Sequence, residues 1–143
     1  MSEGELLQIE KARRLDIDEQ IYYDIIRQKT ATLIAACCAC GATSVTDDAV
    51  VIDRAKKFGE AVGMAFQIKD DLLDLNSNSK ELGKPVHQDL SNETPNFVNY
   101  YGEEKSIQKM NDSLEKSIES LNIFGNHAKN LVLLADYIVK RSH

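Results

Sequence analysis

Residues 47–75 restrict the possible folds more than any other stretch. No proline interrupts them, and Val50, Ile52, Ala55, Phe58, Val62, Ala65, Phe66, Ile68, Leu72 and Leu73 fall on most sides of one long helix. A helix that is apolar around most of its circumference has to be enclosed by other helices. The rest of the chain can supply them. Its 143 residues include only 2 prolines, 7 glycines and no tryptophan, and Leu, Ile, Ala, Lys, Glu and Gln are abundant. Such a composition favours an all-α chain, and the length suits one domain, residues 1–143.

The enclosing helices can be placed by their apolar spacing. Residues 3–14 read as helical, with Leu6, Leu7 and Ile9 apolar, and "LDIDEQ" makes a break in which Asp16 or Asp18 suits an N-cap. A helix to about Cys40 buries Ile21, Ile25, Ile26, Leu33 and Ile34, and Gly41 is placed to end it. Thr46 is the expected N-cap of the long helix, with Asp47 and Asp48 favourable to its dipole. Gly59 and Gly63, four apart, allow a close-packed neighbour. Residues 76–102 hold both prolines and read as a long polar loop. Two further helices are expected, at about 103–121 with Ile107, Met110, Leu114, Ile118 and Leu121 inward, and at about 127–141 with Leu131, Leu134, Ala135 and Ile138 inward. The whole is a bundle of about five helices.

Bulk properties remove several function classes. A formal net charge of -6 argues against nucleic acid as the partner. No apolar run reaches the roughly 18–20 residues that span a bilayer, so no transmembrane segment is expected. Cys37, Cys38 and Cys40 lie on one predicted helix, cannot frame a disulfide scaffold and read as small core residues of a reduced, cytoplasmic protein.

The chemistry concentrates in "QIKDDLLDL", residues 67–75. Asp70 and Asp74 are four apart and share a helix face with Gln67, while Asp71 flanks them. Such carboxylates repel each other and resist burial. One resolution is a hard divalent cation such as Mg²⁺, which takes a few carboxylates plus water and phosphate oxygens. The other is a solvated face paired with Lys69. Lys29 and Thr30 sit in an apolar helix, where they either face the same cavity or are a snorkelling lysine and a back-bonded threonine. Lys84, in "LGKP", stands where a loop lysine could close over an anion.

In order along the chain, these residues resemble the trans-isoprenyl (polyprenyl) diphosphate synthases. "GELLQ" at 4–8 is similar to the family's GE-x-x-Q, and "YYDIIRQKTATLIAACCACGA" at 22–42 to its Y…KTA-x-L…C-x-x-GA helix. "FGEAVGMAFQIKDDLLDL" at 58–75 resembles the helix of the second aspartate-rich motif. "ELGKPVHQDL" at 81–90 resembles the LGKP loop, and "LADYIVKR" at 134–141 the C-terminal end.

The resemblance implies a partial all-α isoprenoid-synthase bundle. It implies condensation of isopentenyl diphosphate, head to tail, with an allylic diphosphate, using Mg²⁺. Asp70, Asp71 and Asp74 then match metal-binding aspartates, and Lys29 and Lys84 match diphosphate-binding lysines. Thr30 and Gln67 match polar groups beside the cationic carbon, and Gln8 and Asp89 match positions near the metals.

The pattern covers only the C-terminal half of the family. Its first aspartate-rich motif lies upstream of GE-x-x-Q, where this chain has Met1. The loop also departs, with His87 where the family has glycine. The expectation is a fragment inactive alone, forming a homo-oligomer or pairing with an N-terminal half. The alternative is a non-catalytic accessory subunit or pseudoenzyme.

Overall fold

A computed structural model describes Gly4, Leu6, residues 19–82, Val98 and residues 101–142, with Glu19 and residues 75–82 described by backbone alone. Every element among the described residues is helical: α1 (Glu19–Ile26), a π-helical turn (Arg27–Ala31), α2 (Thr32–Thr43), α3 (Ala49–Leu82), α4 (Glu103–Ser120), a 3-10 stretch (Asn122–Ala128) and α5 (Lys129–Lys140). The long α3 is the axis, packed by α2, α4 and α5. The expected all-α bundle is therefore observed.

Two apolar clusters lie along α3. The first joins Tyr22 and Ile26 to Ala65, Ile68 and Leu72 of α3, and to Val98, Met110 and Val139. The second joins Phe58 and Val62 to Leu121, Ala128 and Ala135. The α3 positions are spaced by three and four residues, which is one helical face. The other faces are less enclosed than the periodicity suggests, and Val50 is exposed.

Several boundaries and faces differ from expectation. Helix α2 continues through Gly41 to Thr43, and a Cβ at Gly41 would meet nothing within 4 Å. The N-cap of α3 is Asp48, whose Oδ1 accepts from the Val50 N–H at 2.8 Å, while Thr46 accepts from the Asp48 N–H one step earlier. Residues 76–82 extend α3 instead of opening a loop. No helix breaker stands there before the Gly83–Pro85 turn signal, and an established helix propagates at low cost. Residues 83–97, and with them most of the expected 76–102 loop, lie outside the described residues.

In α4 the inward face combines Met110 with serines. Ser106, Ser117 and Ser120 are buried, and each hydroxyl donates to a carbonyl of its own helix at 2.7–2.8 Å. Ile107 is turned outward. Self-satisfied serines are small and cost little to bury, so α4 can lie close on α3. In α5, Ala135 and Val139 face inward, and Leu131 and Leu134 are exposed. Leu33 on α2 is exposed as well, as are Cys37 and Cys40, so these two thiols are not core residues. Cys38 is half-buried against the second cluster, and burial with Cys37 alongside pushes its thiol up. Gly102 starts α4 at φ 79°, a left-handed conformation that favours glycine.

The expected close packing at Gly59 and Gly63 is present. A Cβ at Gly63 would lie 2.6 Å from Ala31 Cα, and one at Gly59 would lie 2.7 Å from the Ile34 carbonyl oxygen. Both obstacles are backbone. Gly63→Ala therefore has to push α3 away from the π-helical turn. Overpacking of this kind costs about 1–3 kcal/mol, which exceeds the gain of up to ~1 kcal/mol from replacing a helical glycine. The expected outcome is a lower urea midpoint for Gly63→Ala and a higher one for Gly41→Ala, where the space is open.

Candidate active site

The site is assembled at the π-helical turn. Within Arg27–Ala31 the helix carries an extra residue per turn, and both the backbone N–H and the hydroxyl of Thr32 converge on the Arg27 carbonyl, the hydroxyl at 2.8 Å. The widened turn presents Lys29 and Thr30. π-Turns inside α-helices cluster at functional sites because they re-aim side chains. Gly4, from the "GELLQ" segment, packs directly on this turn, where a Cβ would lie 2.7 Å from the Lys29 backbone nitrogen. Two separated sequence motifs thus meet through backbone contact.

From Thr30 a line of hydrogen bonds crosses to α3. The Thr30 hydroxyl donates to Gln67 Oε1 at 2.8 Å, and Gln67 Nε2 donates to Asp71 Oδ1 at 3.1 Å. The Tyr22 hydroxyl donates to the other oxygen, Oδ2, at 3.1 Å. An ionised carboxylate only accepts, so Asp71 fixes the Gln67 amide with its NH₂ inward and its carbonyl toward Thr30. Asp71 is buried. Burial, with the Asp71 charge next to it, drives the Tyr22 phenol well above its ordinary value, so Tyr22 remains a donor.

The three aspartates therefore do different things. Asp71 points into the core. Asp70 is partly exposed and forms an ion pair with Arg141, just beyond α5, rather than with Lys69. Asp74 is exposed one turn further along. Among the described residues no three His, Cys, Asp or Glu side chains converge as a metal-holding group. The donor set still fits a hard cation: Asp70 and Asp74 offer carboxylate oxygens from one face, with the remaining positions open to water or phosphate oxygens.

The site residues expected from sequence thus divide. Thr30, Gln67 and Asp71 are joined in one network, and Lys29 adjoins it on the same turn. Asp70 and Asp74 lie on the outward stripe. Gln8, Lys84 and Asp89 lie outside the described residues. The back-bonded reading of Thr30 does not hold, since its hydroxyl reaches across to α3. Sequence reasoning gave no role to Tyr22 or Arg141, although both stand in the quoted motifs. The available signals were a tyrosine one helical stretch before Lys29 and an arginine closing "LADYIVKR".

The polyprenyl synthetase family model matches residues 1–131. The chain belongs to the polyprenyl synthetase family. Among curated relatives, a short chain isoprenyl diphosphate synthase of Methanothermobacter thermautotrophicus is 33% identical over 139 residues, which is 97% of this chain and 41% of that protein. Component 2 of a heptaprenyl diphosphate synthase of Geobacillus stearothermophilus is 44% identical over 87 residues, covering 61% of this chain and 27% of its own. Among solved structures, an FPP/GFPP synthase from Zymomonas mobilis superposes with a TM-score of 0.79 at 26% identity, over 97% of this chain and 45% of that one. In each case the chain spans less than half of the other protein's length. The polyprenyl synthetase fold is thus shared with solved enzymes, and among the described residues no helix is long and apolar enough to cross a membrane.

Proposed function

We propose that the chain, residues 1–143 as a single domain, carries one wall of a prenyl-transfer site for the condensation of isopentenyl diphosphate with an allylic diphosphate. The observation that carries this reading is the hydrogen-bonded line Thr30–Gln67–Asp71–Tyr22 beside the outward pair Asp70 and Asp74. The relatives are named as prenyl diphosphate synthases of several chain lengths, which supports the reaction class.

In that reaction the allylic C–O bond breaks, its electron pair leaves with diphosphate, and an allylic cation remains. The isopentenyl double bond supplies the electrons of the new C–C bond and leaves a tertiary cation, and the carbon next to that cation then loses a proton to the released diphosphate, restoring a double bond. Asp70 and Asp74 would hold Mg²⁺, with Asp71 setting their helix in place. When bound, the ion neutralises charge on the departing diphosphate. Lys29 and Lys84 add positive charge to the same leaving group. The Thr30 proton is committed to Gln67, so both side chains offer oxygen lone pairs to a cation. Their hydrogen bonds hold those oxygens in place and away from the cationic carbon as nucleophiles. Gln8 and Asp89 stand near the metals in this reading.

The exposed apolar residues Leu33, Leu131, Leu134 and Tyr137 support pairing with further helical structure, either a second copy or an N-terminal half. The Geobacillus relative is named as one component of a synthase, which favours a second reading as a subunit that works with a partner chain. The test is to supply the chain with Mg²⁺, isopentenyl diphosphate and geranyl diphosphate, alone and co-expressed with the N-terminal half of the Methanothermobacter synthase. The chain alone is expected to give negligible prenyl product, and the pair to give product that Thr30→Ala and Gln67→Ala reduce. Prenyl product from the chain alone at the rate of an intact synthase would contradict the one-wall reading.

A further inference from the structure

Arg141 sits where the metal reading needs an empty carboxylate. It is the first residue past α5, with extended backbone at φ -57° and ψ 148°, and its N–H donates to the Tyr137 carbonyl at 2.9 Å. Its guanidinium lies 4.3 Å above the Phe66 ring and its Nη2 donates to Asp70 Oδ1. Phe66 precedes Asp70 by one helical turn, so ring and carboxylate form a ready seat for a planar cation. The Arg141 side chain is only 17% exposed there.

The seat is incomplete. Arg141 Nε is buried with no hydrogen-bond partner among the described residues. A guanidinium held by one carboxylate and one ring, with a buried donor unused, is attached firmly enough to occupy Asp70 and weakly enough to leave it.

We propose that Arg141 is the resident counter-ion of Asp70, which a divalent cation has to displace before Asp70 can bind it. Arg141 is then a positioning residue that couples loading of the site to release of the residue that follows α5. The inference rests on the reading of Asp70 as a metal ligand. Without the guanidinium, Asp70, Asp71 and Asp74 would concentrate negative charge on little more than one helical turn. With it, the charge of Asp70 is paired in the unloaded site. A ligand that binds only the minor, unpaired state is weakened by the fraction of that state. If the pair is closed about 80–90% of the time, affinity falls by about 5- to 10-fold.

The test uses Mn²⁺ as the probe, with free ion counted by electron paramagnetic resonance, on the full chain and on Arg141→Gln, Phe66→Leu and Asp70→Asn. Far-ultraviolet dichroism serves as the fold control. Arg141→Gln is expected to bind Mn²⁺ about 5- to 10-fold more tightly, and Phe66→Leu to shift the same way by less. In a parallel Mg²⁺ titration, the Arg141 Nε–H resonance of the unsubstituted chain should move with the same half-saturation as Mg²⁺ binding followed by calorimetry. Asp70→Asn should lose most of the affinity. If Asp70→Asn weakens binding while Arg141→Gln leaves it unchanged or weaker, the counter-ion role is overturned and the metal reading stands. If Asp70→Asn has no effect on Mn²⁺ affinity, the metal reading falls and this inference falls with it.

Discussion

Replacing Asp71 with alanine is expected to lower the stability of the chain by about 2–4 kcal/mol. Two donors lose their acceptor at once, the Tyr22 hydroxyl and the Gln67 amide. Each such loss in a buried setting costs about 1–3 kcal/mol, and the desolvation recovered by removing the carboxylate offsets part of it. Against a total stability on the order of 5–15 kcal/mol, the urea midpoint should fall sharply. Tyr22→Phe removes one of the two donors and should cost less. It should also change the alkaline limit. The folded-state phenol is raised above its ordinary value of 10.0. Its contribution is therefore fully present below that value and lost as pH rises above it, at about 1.4 kcal/mol per pH unit for one proton. Tyr22→Phe should flatten this part of the stability profile near pH 10–11. An unchanged urea midpoint for Asp71→Ala would mean that Asp71 does not anchor the core.

Legibility in the sequence followed how local each signal was. The helices could be placed because their apolar residues recur every three to four positions, and the close approach at Gly59 and Gly63 because two glycines four apart have few other uses in a long helix. The error at the start of α3 came from caps. Thr46 and Asp48 are both good N-cap residues, and which one closes the first turn depends on the path of the preceding loop. The outward turn of Ile107 was hidden because serines that bond to their own helix can be buried, a choice that hydropathy alone misses, and in α5 the inward positions fell to Ala135 and Val139 instead of Leu131 and Leu134.

At the site, the residue types were legible and their division of labour was not. The spacing of Asp70, Asp71 and Asp74 is compatible with a single metal-binding group. The structure separates Asp71, because an offset of one residue rotates it by about 100° from Asp70 toward Tyr22. Nothing local in "QIKDDLLDL" encodes Tyr22 or Arg141 as partners, since these lie 49 and 71 residues away from the aspartates they touch. The π-helical turn was likewise unreadable, since nothing in the propensities of "RQKTA" marks it, and the backbone contacts it makes with Gly4 and Gly63 are distant in sequence.

In the proposed function Asp70 and Asp74 hold a divalent cation that in turn holds diphosphate, and Asp71 anchors their helix through Tyr22 and Gln67. Asp70 and Asp74 would each supply carboxylate oxygens to such a cation from one helix face. Losing a charged ligand at such a site costs at least about tenfold in affinity, or ~1.4 kcal/mol. The most direct measurement is calorimetric binding of inorganic diphosphate to the chain, with Mg²⁺ and with Mg²⁺ removed by a chelator. Binding is expected to require Mg²⁺, and to fall by about tenfold or more in Asp70→Ala and in Asp74→Ala while their urea midpoints stay close to that of the unsubstituted chain. Diphosphate binding that is equally strong without Mg²⁺, or unchanged in both variants, would contradict the account.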